Sequence, residues 1–102
     1  MIIGIDLGGT NIKAGLVDFS GKIIKRISIP TEASKGKKII LDNIIKIIQK
    51  LDNEKVVGVG IGIPGSLDTT RGIVLSTANI PLDNVNLKQI LEKKFNKKVF
   101  LD

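Results

Sequence analysis

Residues 2–18 read IIGIDLGGTNIKAGLVD, and the fold turns on how they are parsed. Ile3, Ile5 and Leu7 alternate with Ile2, Gly4 and Asp6, the two-residue period of a strand that ends with Asp6 on one face. The run breaks at Gly8-Gly9-Thr10-Asn11. It resumes with Ile12, Ala14 and Leu16 alternating with Lys13, Gly15 and Val17, which is a second strand. Glycine and aspartate both weaken strands, so a hairpin that carries them at its tip calls for a use there.

Working outward, Phe19-Ser20-Gly21 turns the chain into a third strand, Lys22 to Ile29, and the three form an antiparallel meander. From Lys37 to Leu51 the period changes. Ile40, Leu41, Ile44, Ile47, Ile48 and Leu51 share one side, while Lys38, Asp42, Lys46, Gln49 and Lys50 share the other, predicting an amphipathic helix. Its isoleucines are weak helix formers, so packing against a sheet has to hold it. Val56 to Gly65 then alternates branched residues with glycines, a strand with one bulky and one bare face that lets a backbone or ligand come close. Ser66 to Ser76 reads as an excursion of turn and short strand with Asp68-Thr69-Thr70-Arg71-Gly72 at its tip. A second helix starts at Asn86, with Gln89 completing a capping box, Val85 stapled to Ile90, and Leu87, Ile90, Leu91 and Phe95 as its buried stripe. Asn96 is its left-handed stop, and Lys98 to Asp102 begins another strand. The order is βββαβ, a hairpin, then αβ, with the later strands parallel because helices connect them.

Composition bounds the chemistry. A chain of 102 residues makes one domain with a modest core. No apolar run approaches the ~20 residues that cross a bilayer, and the start lacks the features of a secretory signal, so a cytoplasmic protein without a membrane role is expected. The absence of cysteine and histidine excludes disulfides, thiolate or imidazole metal sites and an imidazole base. Acid and base work falls to carboxylates. The net charge of +6 raises nucleic acid as a partner, but lysines are scattered along the chain, and three Phe with no Tyr or Trp offer few stacking rings, so no nucleic-acid role is expected.

Two glycine motifs compete. Gly60-x-Gly62-x-x-Gly65 fits a dinucleotide fingerprint in spacing, yet its glycines lie inside a strand and lead into a turn rather than a helix. No Walker loop is present. Gly8-Gly9-Thr10-Asn11 lies between strands, where successive backbone N–H groups can cradle an anion and the Thr10 hydroxyl and Asn11 amide add donors. Lys13 would project beside it, and Asp6 could hold magnesium through water. The plainer reading is an ordinary tight hairpin with a capping Asp; the glycine pair alone favours it, and Asp6, Thr10 and Lys13 at these offsets reverse the balance.

Gly4-Ile5-Asp6-Leu7-Gly8-Gly9-Thr10-Asn11-Ile12-Lys13, then Gly58-Val59-Gly60-Ile61-Gly62-Ile63-Pro64-Gly65, Asn79-Ile80 and Val99-Phe100-Leu101-Asp102, resemble the ROK family of sugar kinases and repressors. That family lies in the superfamily of hexokinase, actin and the large heat-shock chaperones. The resemblance runs from end to end. It implies an α/β fold, the ribonuclease-H-like N-terminal lobe (residues 1–102) of an ATP-dependent hexose kinase of glucokinase type. It further implies magnesium at Asp6, ATP phosphates at Gly8, Gly9, Thr10, Asn11 and Lys13, and the sugar at Gly65 and Asn79. Read without the resemblance, Gly65 and Asn79 are turn residues. The family's catalytic base belongs to an Asn-Asp pair directly after the strand that here reaches Asp102, so no catalytic residue is assigned in the chain. The remaining sugar ligands, a zinc cluster and the adenosine-binding second lobe would also lie further on, in a parent protein expected to be a homo-oligomer. The alternatives are a sugar-sensing module of a ROK repressor, though a first strand starting at Ile2 leaves no room here for a helix-turn-helix, and a related ATPase sharing only the hairpin.

Overall fold

The alternation that opens the chain folds as β1 (Ile2–Leu7) and β2 (Asn11–Val17), antiparallel with Ile5 opposite Ala14 and Asp6 opposite Lys13. The computed structural model describes all residues from 1 to 102. At the next turn the Asp18 carboxylate accepts hydrogen bonds from the Ser20 and Lys22 amides at 2.9 and 3.0 Å. β3 (Ile23–Pro30), one residue later at each end than the sequence predicts, then returns along β2. A short 3-10 turn at Ala33–Lys35 leads to α1 (Lys37–Leu51). β4 (Gly58–Gly62) pairs in parallel with β1, placing Gly62 beside Asp6. β5 (Ser66–Asp68) and β6 (Ile73–Ser76) form a separate antiparallel hairpin, and α2 (Leu87–Phe95) carries the chain to β7 (Lys98–Leu101), parallel to β4.

The main sheet has the order β3-β2-β1-β4-β7, antiparallel on one side of β1 and parallel on the other. This is the mixed α/β architecture expected from the pattern. One face carries Ile3, Ile5, Leu7, Ile12, Val59 and Ile61, all buried in one core cluster with the isoleucine stripe of α1. Each such side chain contributes about 1.5–3 kcal/mol on burial, enough to hold a helix whose β-branched residues are poor formers. The opposite face is bare along one row, where Gly15, Gly4 and Gly60 are register partners on three adjacent strands. An open cavity of about 790 Å³ lies over that row.

Several local expectations change. The strand predicted over Val56–Gly65 is regular only from Gly58 to Gly62, because Pro64 offers no N–H and Gly65 turns towards β5. Ile90 is not buried but 37% exposed. Val85 exchanges backbone hydrogen bonds with Val74 at 2.8 and 3.2 Å, and so anchors the approach to α2 on β6. With only nine residues, α2 buries Leu87 and Leu91, and Phe95 is half-buried. On α1, Leu41 is half-buried, whereas Asn43, read as no part of the stripe, is buried. The helix ends behave as expected: the Asn86 side chain accepts from the Gln89 amide and donates to its carboxamide, and Asn96 is left-handed at φ 56°.

Candidate functional site

The hairpin between β1 and β2 is closed by one backbone bond, Gly8 N–H to Asn11 C=O at 3.0 Å. Neither glycine has positive φ, so their use is close approach rather than a special backbone conformation. A Cβ at Gly8 would stand 2.8 Å from the Asn11 carbonyl oxygen. At Gly9 it would meet nothing nearer than the Asn79 Cβ at 3.9 Å, which leaves room over the turn. Two of the hairpin's other carbonyls are taken up by Thr31: its hydroxyl donates to Gly8 C=O at 2.6 Å and its amide to Thr10 C=O at 2.9 Å. The N–H groups of Gly9 and Thr10 donate to no protein acceptor. Two successive backbone donors therefore stand unused at an exposed turn, the requirement for an anion nest.

Asp6 and Lys13 sit directly opposite each other in register, yet no ion pair or side-chain hydrogen bond joins them, and neither pairs with any other residue. Both line the open cavity together with Arg26, Ser28, Gly62 and Asp102. No cluster of three or more His, Cys, Asp or Glu exists that would hold a metal by itself. An unengaged carboxylate such as Asp6 is nonetheless the oxygen donor a hard cation takes, with water and phosphate oxygens completing its shell. Lys35 and then Asn43 hold the Glu32 carboxyl below its ordinary range, while the Val99 amide and then Lys88 do the same for Glu92.

The two sugar candidates have different surroundings. Gly65 packs against the chain leaving β6, where a Cβ would run into the Ser76 carbonyl oxygen, so its lack of a side chain has a packing reason. Asn79 is exposed on a loop pinned by buried Ile80 and Leu82, with the Thr77 hydroxyl bonded to the Ile80 carbonyl and the Thr77 amide to Asp83 at 3.1 Å. Its carboxamide has no partner in the chain and sits beside Gly9. Thus the fold brings Gly9 beside Asn79 and Asp6 opposite Lys13. Gly65 belongs to the loop base rather than to the cavity.

Sequence reasoning missed Thr31 and Asn43, the two buried polar residues of the chain. For Asn43 a signal existed, since it falls three residues after Ile40 on the apolar side of the helical period. Thr31 offers none.

The sequence matches the ROK family over residues 2–102. It is 43% identical to the glucokinase of Thermotoga maritima over 103 residues, covering 99% of this chain and 32% of that protein. It is also 35% identical over 107 residues to the xylose repressor of Caldicellulosiruptor bescii, covering 99% of this chain and 27% of the repressor. Among solved structures, the ROK family glucokinase from Streptomyces griseus in complex with glucose and AMPPNP superposes with a TM-score of 0.88 at 32% identity, over 99% of this chain and 32% of that one. The ROK hexokinase from Thermus thermophilus gives a TM-score of 0.86 at 30% identity, over 99% and 34%. The chain spans about a third or less of the length of the curated relatives it matches. Its sheet and helices are those of the ribonuclease-H-like N-terminal lobe in the ROK hexokinase structures, and the family pattern is matched along its length. The chain belongs to the ROK family.

Proposed function

We propose that residues 1–102 are the N-terminal, phosphate-handling lobe of an ATP-dependent hexose kinase of glucokinase type. The observation that carries this reading is the pair of unused N–H groups at Gly9 and Thr10, beside a carboxylate and an ammonium that are register partners without forming an ion pair. Gly8 to Asn11 and Lys13 would hold the phosphates of ATP, whose charge in the transferring group is stabilised by such preorganised donors. Asp6 would hold magnesium through water, and the ion when bound neutralises phosphate charge. Asn79, beside Gly9, would bond a sugar hydroxyl, and the turn at Gly65 would shape the wall of that subsite.

In the reaction the sugar hydroxyl oxygen forms a bond to the γ-phosphorus, the bond from that phosphorus to the β–γ bridging oxygen breaks, and ADP leaves. The hydroxyl proton goes to a carboxylate base for which no residue of this chain is nominated. This lobe's part is to position and screen charge, and closure of a second lobe excludes water. A cytoplasmic location and a homo-oligomeric parent belong to the same proposal. A second reading, a sugar-sensing module of a repressor, is favoured by the 35% identity to the xylose repressor.

Isothermal titration of glucose and of MgATP into the gene product containing these residues separates the two. A kinase binds both, loses sugar affinity with Asn79→Ala and loses MgATP affinity with Asp6→Ala. Binding of sugar without MgATP would favour the sensor, and binding of neither would remove both readings.

A further inference from the structure

Only two polar side chains are buried in this lobe, Thr31 and Asn43, and both belong to one chain of hydrogen bonds that ends at the hairpin. From the buried face of α1 the Asn43 amide donates to the Thr31 carbonyl at 3.1 Å, to the Pro30 carbonyl at 3.4 Å and to the Glu32 carboxylate at 3.3 Å. The segment so held includes Glu32 in the left-handed region at φ 59°, which a non-glycine residue adopts only when its surroundings fix it. Thr31 then clasps the hairpin through its hydroxyl at Gly8 C=O and its amide at Thr10 C=O. Buried polar groups that are fully satisfied rigidify what they connect, and no buried side-chain polar atom here lacks a partner.

We infer that Thr31 is a positioning residue for anion binding, holding the hairpin carbonyls on the protein side so that the Gly9 and Thr10 N–H groups remain free for phosphate oxygens, with Asn43 as its anchor to α1. The inference rests on the phosphate reading of the hairpin. Its physical content is a competition. Gly8 C=O and Gly9 N–H share one trans peptide plane, so a carbonyl fixed towards Thr31 points the Gly9 N–H the opposite way. Once released, that plane can rotate and its carbonyl can compete for the Thr10 N–H as in a γ-turn, and a turn that satisfies itself internally presents fewer donors to a ligand. The clasp therefore does more than stabilise. It decides which groups of the turn face outward.

The test uses the 102-residue chain, nitrogen-15 labelled, titrated with inorganic triphosphate and magnesium at a temperature where every variant is folded. Thr31→Val keeps the shape and removes the hydroxyl; Thr31→Ser keeps the hydroxyl; Asn43→Ser cuts only the anchor. The wild-type chain shifts its Gly9 and Thr10 amide signals on titration. Thr31→Val weakens triphosphate binding about tenfold, about 1.4 kcal/mol, Asn43→Ser weakens it about threefold, and Thr31→Ser stays within about twofold of wild type. A purely structural role would lower unfolding midpoints and leave the dissociation constants of the folded variants equal. That outcome overturns the inference while leaving the phosphate reading intact, and should Thr31→Val fail to fold, unchanged binding by Asn43→Ser overturns it alone. Absence of any shift at Gly9 and Thr10 in the wild type removes the phosphate reading, and the inference with it.

Discussion

At Gly8 and Gly9 the same residue type stands for two different reasons, and substitution separates them. A methyl group at Gly8 collides with the Asn11 carbonyl oxygen 2.8 Å away, a backbone atom that cannot rotate aside. Gly8→Ala is therefore expected to cost about 1–3 kcal/mol in urea unfolding. Gly9→Ala meets only the Asn79 Cβ at 3.9 Å and needs no left-handed backbone, so stability stays within about 0.5 kcal/mol. Its methyl group nevertheless enters the space over the free amides, and triphosphate binding falls at least several-fold. Equal stability losses for both variants would contradict the assignment of that space to a ligand. The glycine pair was legible in the sequence as a turn. Which glycine serves the fold and which leaves room was not, because that depends on the distance to a residue 70 positions away, Asn79.

Among the elements, α1 was the most legible because its apolar period runs through the whole of Lys37–Leu51. The buried Asn43 broke the pattern since its partners, the carbonyls of Pro30 and Thr31, lie in a different segment that periodicity does not report. Ile90 failed for a related reason: on a nine-residue helix the tertiary fit decides which stripe positions are covered, and the β6 contact of Val85 left Ile90 outside. Truncation tests this contrast. Ile47→Ala, in the seam between α1 and the sheet, is expected to cost about 2–5 kcal/mol, and Ile90→Ala within about 1 kcal/mol. Comparable losses would mean that α2 packs more deeply than described.

Across the whole molecule, acid should loosen the fold through a few identifiable carboxylates. Asp18, Glu32, Asp68 and Glu92 each have a pKa lowered by hydrogen bonds, chiefly from Ser20, Lys35, the Arg71 amide and the Val99 amide respectively. A lowered folded-state pKa means the unfolded chain binds more protons, so this stability is present above the ordinary values of 3.8 for Asp and 4.5 for Glu and is lost as pH falls through and below them. The urea midpoint should therefore fall between about pH 6 and about pH 3; a midpoint that rose on acidification would contradict these pairings.

The mixed character of the sheet followed from strand periods and helical crossovers, whereas its strand order, β3-β2-β1-β4-β7, came from the structure. The site was legible as a list of residue types at the hairpin. Its two pairings, Asp6 with Lys13 and Gly9 with Asn79, came from the structure. The most direct measurement of the central claim is a titration of MgATP into the labelled chain at constant ionic strength, followed at every backbone amide. The largest shifts should fall on Gly9 and Thr10, with Lys13 perturbed and α2 silent, and Asp6→Ala should weaken the response. Shifts confined to the Lys-rich helix surfaces, with the hairpin amides unmoved, would contradict it.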